Sequence, residues 1–232
     1  MNRAEFDRFA DEYRAMHAAN ISASGESPEF FAEYKVKDVA DAAARTGTWR
    51  CVTRVLDFGA GIGNSVPFWR RYFPDARTTC VDVSGKSLSI GHERMSADAS
   101  FVQFDGQTLP FADGSFDIAF AACVFHHIEH DRHVHLLREL RRVLSPDGTM
   151  WVFEHNPNNP LTVKAVNDCP FDANACLVQA RQMRRRMLEA GFAEPRVRYR
   201  IFFPGPLRVL RKLEPTLVRL PLGAQYSVSS RP

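Results

Sequence analysis

The chain has 232 residues, with 30 Lys and Arg against 27 Asp and Glu, a formal net charge of +3, and 45% apolar and 25% charged residues. These are the proportions of an ordinary globular protein, and the length suits one domain with decorations. No run approaches the length of a membrane span, and the five cysteines are widely spaced with no C-x-x-C pair, which argues against a disulfide framework and against a zinc knuckle.

The opening segment, Met1 to Tyr13, is acidic and amphipathic rather than a charged-then-apolar leader, so a cytoplasmic location is the expectation. Phe6, Phe9 and Tyr13, and then Phe30, Phe31 and Tyr34, recur at three- and four-residue spacings and predict helices. Between them Ser22 to Pro28 is a turn, with Ser27 placed as an N-cap and Pro28 as the first helical residue. Residues 1–48 are expected to form a helical lid over the carboxyl edge of a sheet, with Tyr13, His17 and Tyr34 as candidate acceptor contacts. Residues 49–232 are expected to form the core domain.

Residues 53 to 64 read Thr-Arg-Val-Leu-Asp-Phe-Gly-Ala-Gly-Ile-Gly-Asn, an apolar strand ending in a carboxylate and a loop with glycine at every second position. An amphipathic stretch, Ser65 to Tyr72, follows as a helix. Strand, glycine turn and helix together make the nucleotide-binding corner of a doubly wound sheet. The dinucleotide fingerprint G-x-G-x-x-G needs a glycine where this chain has Asn64. The spacing D-x-G-x-G-x-G resembles instead the first motif of the class I S-adenosylmethionine-dependent methyltransferases.

Arg77 to Val83 reads as the second strand, and Asp82, 19 residues beyond Gly63, sits where a strand-end carboxylate accepts both hydrogen bonds of a ribose diol. Gly85 to Ala97 is a helix and Phe101 to Phe104 a third strand. The segment Asp105 to Asp117, with its Leu-Pro-Phe turn and Ser-Phe-Asp lead into the apolar strand Ile118 to Val124, resembles the quinone and small-molecule branch of the same family. The resemblance spans about residues 57 to 154. It implies S-adenosylmethionine as methyl donor, with Asp57, Gly59, Ala60, Gly61, Gly63, Asp82, Val83, Asp105, Gly106 and Cys123 around it. Asp105 matches the residue that takes the adenine amino group.

Beyond the fourth strand stand Phe125, His126, His127 and Ile128. Imidazoles at that strand end are candidate general bases, because they titrate near neutrality. His130, His133 and His135 invite a metal reading, since the pairs 126/130 and 130/133 have helical ligand spacing, but they begin a polar helix and no metal is expected. Leu136, Leu137, Leu140, Val143 and Leu144 form the buried stripe of that helix, stopped by Ser145 to Gly148, and Thr149 to Glu154 is a fifth strand. Its exit, Glu154 to Pro160, is polar and rigid. His155 is the second candidate base, after His126 and His127, while Asn156, Asn159 and His126 are candidate acceptor contacts.

Between 181 and 219 eleven Lys or Arg face three acids. A helix ending at Ala190, a strand Arg196 to Phe203, a helical insertion within 206–222 and a last strand Gln225 to Ser229 complete the chain. The insertion alternates Leu207, Leu210, Leu213, Leu217 and Leu220 with Arg208, Arg211 and Lys212, a basic amphipathic pattern suited to an anionic lipid or a phosphorylated acceptor. The N-P-P-[YF] tetrad of nucleic-acid amino methylases is absent, so no nucleic-acid partner is expected. The expected architecture is an α/β, doubly wound, mostly parallel seven-stranded Rossmann-like sheet with an N-terminal lid and a helical insertion before the last strand. The expected reaction is O-methylation of a small-molecule, sugar or lipid-linked acceptor. C- or N-methylation, a non-catalytic nucleotide-binding protein and an NAD(P)-dependent oxidoreductase are the alternatives.

Overall fold

A computed structural model describes residues 25–232. Seven strands form one sheet: β1 (Arg54–Phe58), β2 (Arg77–Asp82), β3 (Ala99–Gln103), β4 (Phe116–Ala122), β5 (Leu144–His155), β6 (Ala193–Arg200) and β7 (Gln225–Arg231). Their order across the sheet is β3-β2-β1-β4-β5-β7-β6. The pairs from β3 to β5 are parallel, and β7 runs antiparallel between β5 and β6. The chain reverses its winding between β3 and β4, so the carboxyl ends of β1 and β4 flank a crevice where ligands bind in such sheets.

Alternation along the central strands divides the core. Leu56 and Phe58 of β1, Ala119 and Ala121 of β4 and Met150 and Val152 of β5 face α4 (His133–Val143) and α6 (Ala180–Glu189). Val55, Ile118, Phe120, Trp151 and Phe153 face the other way, against α1 (Pro28–Thr46) and Trp69 of α2 (Val66–Tyr72). Side chains that point to both faces and are apolar on both are what a parallel sheet covered on two sides demands. Helices α3 (Gly85–Met95) and α5 (Pro160–Asp168), with a short α7 (Glu214–Leu217), complete the fold.

Helix α1 begins and ends where local chemistry directs. Ser27 Oγ accepts from Phe30 N at 3.3 Å, Pro28 occupies the first turn, and Gly47 caps the far end at φ 73°. Its residues Val36, Val39 and Ala43 pack on the sheet face, so it is not laid over the edge alone; only its first turns reach the crevice. Arg200 of β6 pairs with Asp38, and the Tyr34 hydroxyl donates to Gln225 of β7, which ties α1 to the far edge of the sheet. Tyr13 and His17, and the first predicted helix, lie outside the described residues.

The segment between β6 and β7 is a 3-10 helix, Gly205–Leu213, continuing into α7, rather than one regular helix over 207–220. It leaves Leu207, Val209, Leu213 and Leu222 exposed. Among the described residues no helix is long and apolar enough to cross a membrane.

Candidate active site

A cavity of about 290 Å³ opens at the carboxyl ends of β1, β4 and β5. Its donor side is built from the glycine loop. Gly59 and Gly61 have φ of 69° and 54°, a region that side chains disfavour. A Cβ on Gly59 would strike Val124, whereas one on Gly61 would point into open space, where a ligand can approach the backbone. Asp82, at the end of β2, holds the loop through Gly61 N at 2.9 Å and its own turn through Ser84 N at 2.9 Å. Asp57 is buried and accepts from the Ser65 hydroxyl. Burial, opposed by that hydroxyl and reinforced by the Asp82 carboxylate, pushes Asp57 up to about 7.

The acceptor side is a cluster of imidazoles and carboxylates. Glu154, fully buried on β5, accepts from Val124 N at 3.1 Å and Phe125 N at 2.7 Å through Oε1, and meets His126 Nδ1 at 2.5 Å through Oε2. His126 Nε2 lies 3.5 Å and His127 Nε2 3.4 Å from the same oxygen of Asp172. Burial disfavours the His126 charge, but Glu154 and Asp172 outweigh it and raise this imidazole to about 10. His127 is lowered, by burial and then by the His126 charge. The His155 ring lies 5.2 Å from that of His126, and its Nδ1 is 3.5 Å from Gln225 Nε2.

Between the two sides sits Cys123, at the non-glycine φ of 58° where β4 turns. Lys35 Nζ, reaching in from α1, lies 3.4 Å from its sulfur. Burial opposes the thiolate, yet the Lys35 ammonium and His155 prevail and lower the thiol to about 7. Phe31, Leu161, Val166, Ile201 and Phe202 give the rest of the wall an apolar surface.

Residues 56–152 match the family model described as a methyltransferase domain. The chain is 28% identical over 202 residues to the ubiquinone/menaquinone biosynthesis C-methyltransferase UbiE of Pseudomonas fluorescens, covering 75% of each chain. To the protein of that name from Ectopseudomonas mendocina it is 31% identical over 125 residues, 51% of this chain and about half, 48%, of that relative's length. A solved S-adenosylmethionine-dependent methyltransferase from Thermotoga maritima shares the fold, with a TM-score of 0.66, 19% identity and coverage of 99% and 98% of the two chains. These matches support the class I S-adenosylmethionine-dependent methyltransferase family that the sequence motifs resemble.

S-adenosylmethionine is the cofactor, and the open face of Gly61 and the Asp82 carboxylate at the cavity wall are compatible with a nucleoside there. Gly59, Ala60, Gly61, Asp57, Asp82 and Cys123 all line the cavity. Gly63, Val83, Asp105 and Gly106 do not. Gly63 instead gives Met95 and Phe101 room to pack, and Val83 packs against Gly106. Asp105 is turned to its own loop, accepting from Gln107 N at 2.7 Å and Thr108 N at 2.8 Å, which also holds its carboxyl below the usual range.

Four residues expected on the acceptor side are held by neighbouring parts of the chain. Asn156 is wholly buried and spends its amide on Pro221 O and Gly223 O and its carbonyl on Asn158 N, clamping the 221–223 segment, and it is not among the residues lining the cavity. Asn159 caps α5 through Thr162 N and holds Leu222 O, presenting only its flank to the cavity. Tyr34 is likewise committed to Gln225 and is not part of the cavity wall. His126 is also removed as a free base, since both ring nitrogens face carboxylates.

The other histidines are spread over separate tasks: His133 meets Ile128 O and Arg186, His135 meets Gln107 O, and His130 meets Cys176 O at 3.4 Å. Sequence reasoning missed Lys35, Asp172 and Gln225. Only Lys35 carried a local signal, four residues after Phe31 and therefore on the same helical face.

Proposed function

We propose that the methyltransferase O-methylates a hydroxylated small molecule, free, sugar-based or lipid-linked, in the cytoplasm, with His155 as the base that takes the hydroxyl proton. The observation that carries this reading is the position of His155. It lines the cavity beside Cys123 and Gln225, and unlike His126 it is not committed to a carboxylate. S-adenosylmethionine supplies a methyl on a sulfonium that is already a good leaving group. The protein's part is to align the hydroxyl in line with that methyl, hold water out with Phe31, Ile201 and Phe202, and accept one proton.

A lipid-linked or otherwise apolar acceptor fits the cavity rim. Ile201, Phe202 and Pro204 line the cavity, and the chain passes directly from them into the exposed segment with Leu207, Val209 and Leu213 beside Arg208 and Lys212. Apolar and cationic side chains together suit the headgroup region of an anionic bilayer. A lid formed by residues 1–48 belongs to the same reading.

Carbon methylation is the second reading, favoured by the C-methyltransferase relatives. Ionising a hydroxyl activates the neighbouring ring carbon as well as the oxygen. Cofactor with a carbon-13 methyl, incubated with aqueous and lipid extracts, separates them: the product's carbon and proton chemical shifts are expected to be those of a methoxy group. A label on ring carbon or on nitrogen overturns the O-methylation.

A further inference from the structure

We propose that His126, His127 and Asp172 form a binding site for one divalent transition-metal cation of the zinc class, facing the acceptor end of the cavity. The three donor atoms, His126 Nε2, His127 Nε2 and an Asp172 carboxylate oxygen, lie within 4.8 Å of one another. Both nitrogens stand 3.4 to 3.5 Å from the same Asp172 oxygen. Ligands about 2.0–2.1 Å from a tetrahedral cation are about 3.3 Å apart, so these separations already match the edges of a coordination polyhedron. Two imidazoles and a carboxylate suit zinc, cobalt or iron rather than magnesium or calcium, which prefer oxygen alone.

The surroundings support the same assignment. His126 Nδ1 meets Glu154 at 2.5 Å, and Glu154 is itself fixed by two backbone amides. A carboxylate behind a ligating imidazole sets its tautomer and leaves Nε2 to the metal. With neutral imidazoles the buried carboxylates of Glu154 and Asp172 carry two negative charges, which a divalent cation offsets.

The site is also held in shape. Asp172 ends the 3-10 turn Pro170–Asp172, and Cys176 N donates to His126 O at 2.7 Å, pinning that loop against the histidine turn. All three ligands line the cavity, so three protein donors leave a coordination position open toward the bound acceptor, the arrangement of catalytic rather than structural sites. Sequence spacing conceals the site because Asp172 lies far along the chain from the histidines.

The test uses the full chain, stripped by chelator dialysis and titrated calorimetrically with Zn²⁺, with Co²⁺ absorption as a second readout. One cation per chain is expected, with a tetrahedral cobalt spectrum. Affinity should drop by more than about 100-fold in Asp172→Ala and in His127→Ala, and by about 10- to 100-fold in Glu154→Gln, the usual range for the partner behind a ligand. His130→Ala and His135→Ala should bind as wild type. Circular dichroism and melting of each variant establish that it is folded. No stoichiometric binding by the wild-type chain overturns the proposal; the cluster is then a protonated His126 bridging two carboxylates. Unchanged affinity in a folded Asp172→Ala overturns it equally. Neither result bears on O-methylation, which is read from the product.

Discussion

The two halves of the cavity are built by different means. On the donor side each contact is local: the glycine loop follows β1, Asp82 ends the next strand, and the bond from Gly61 N to Asp82 joins neighbouring strand ends. Around the acceptor side the polar groups are tied to segments distant in sequence. His126 needs Glu154, 28 residues away, Asn156 holds Gly223, 67 away, and Tyr34 reaches Gln225 across 191 residues. A cofactor common to many enzymes is met by a compact turn of main chain. The opposite wall is assembled from α1, β4, β5, the 170–176 loop and β7.

If that contrast is right, the greatest single loss comes from the buried hub of the acceptor side. Glu154→Ala leaves the amides of Val124 and Phe125 and the charge-bearing His126 without their acceptor, at a position with no solvent exposure. Breaking such a buried pair costs about 3–5 kcal/mol. The urea midpoint should fall accordingly, and Glu154→Gln, which keeps an oxygen for the amides, should recover a good part of the loss. A loss below 1 kcal/mol in Glu154→Ala would mean that the hub does not organise this half.

The donor side should respond in affinity rather than in folding. Asp82→Ala is expected to weaken S-adenosylmethionine by about 1–3 kcal/mol, the scale of hydrogen bonds to a charged group. That is roughly 5- to 150-fold in the dissociation constant, measured calorimetrically. The KM for the acceptor should hold. A donor affinity equal to wild type would remove Asp82 from the ribose, and an equal rise in acceptor KM would erase the division between the halves.

The same contrast explains what the sequence discloses. Strand, glycine turn and strand-end carboxylate are consecutive in the chain, so Asp57, Gly61 and Asp82 can be recognised from residue type and spacing. The apolar runs of β1, β4 and β5 announce a sheet buried on both faces, and the reversed β7 follows from the last two strands. Asn156 and Asn159 are polar residues at a strand exit, and residue type cannot tell whether such an amide serves a ligand or a neighbouring loop. Asp172 sits in a three-residue turn with no periodicity to mark it. Lys35 reads as a solvated helix lysine, yet it is only 6% exposed because its helix packs on the sheet and its ammonium meets Cys123. Long-range closure decides each of these, and beyond the helical face that Lys35 shares with Phe31 no local pattern encodes it.

The smallest effect concerns the junction of the two halves, where Cys123 depends on a cation from α1. Its thiol, lowered to about 7 with the Lys35 ammonium as the leading opponent of burial, should be reactive above that pH and lose reactivity below it, since only the thiolate attacks. Iodoacetamide labelling from pH 5 to 9, followed by peptide mass spectrometry, reads Cys123 separately from the exposed Cys51 and Cys176. Removing an opposite charge a few ångströms away shifts a group by about 1–3 units. Lys35→Met should therefore move the labelling midpoint upward, so that at pH 7 alkylation of Cys123 slows by about fivefold for the first unit gained and about tenfold for each further one. Saturating S-adenosylmethionine should protect Cys123 in both proteins, because the sulfur lines the cavity wall next to the glycine loop. An unshifted midpoint in Lys35→Met would detach α1 from the chemistry of the site, leaving the acceptor side to β4, β5 and the loops that follow them.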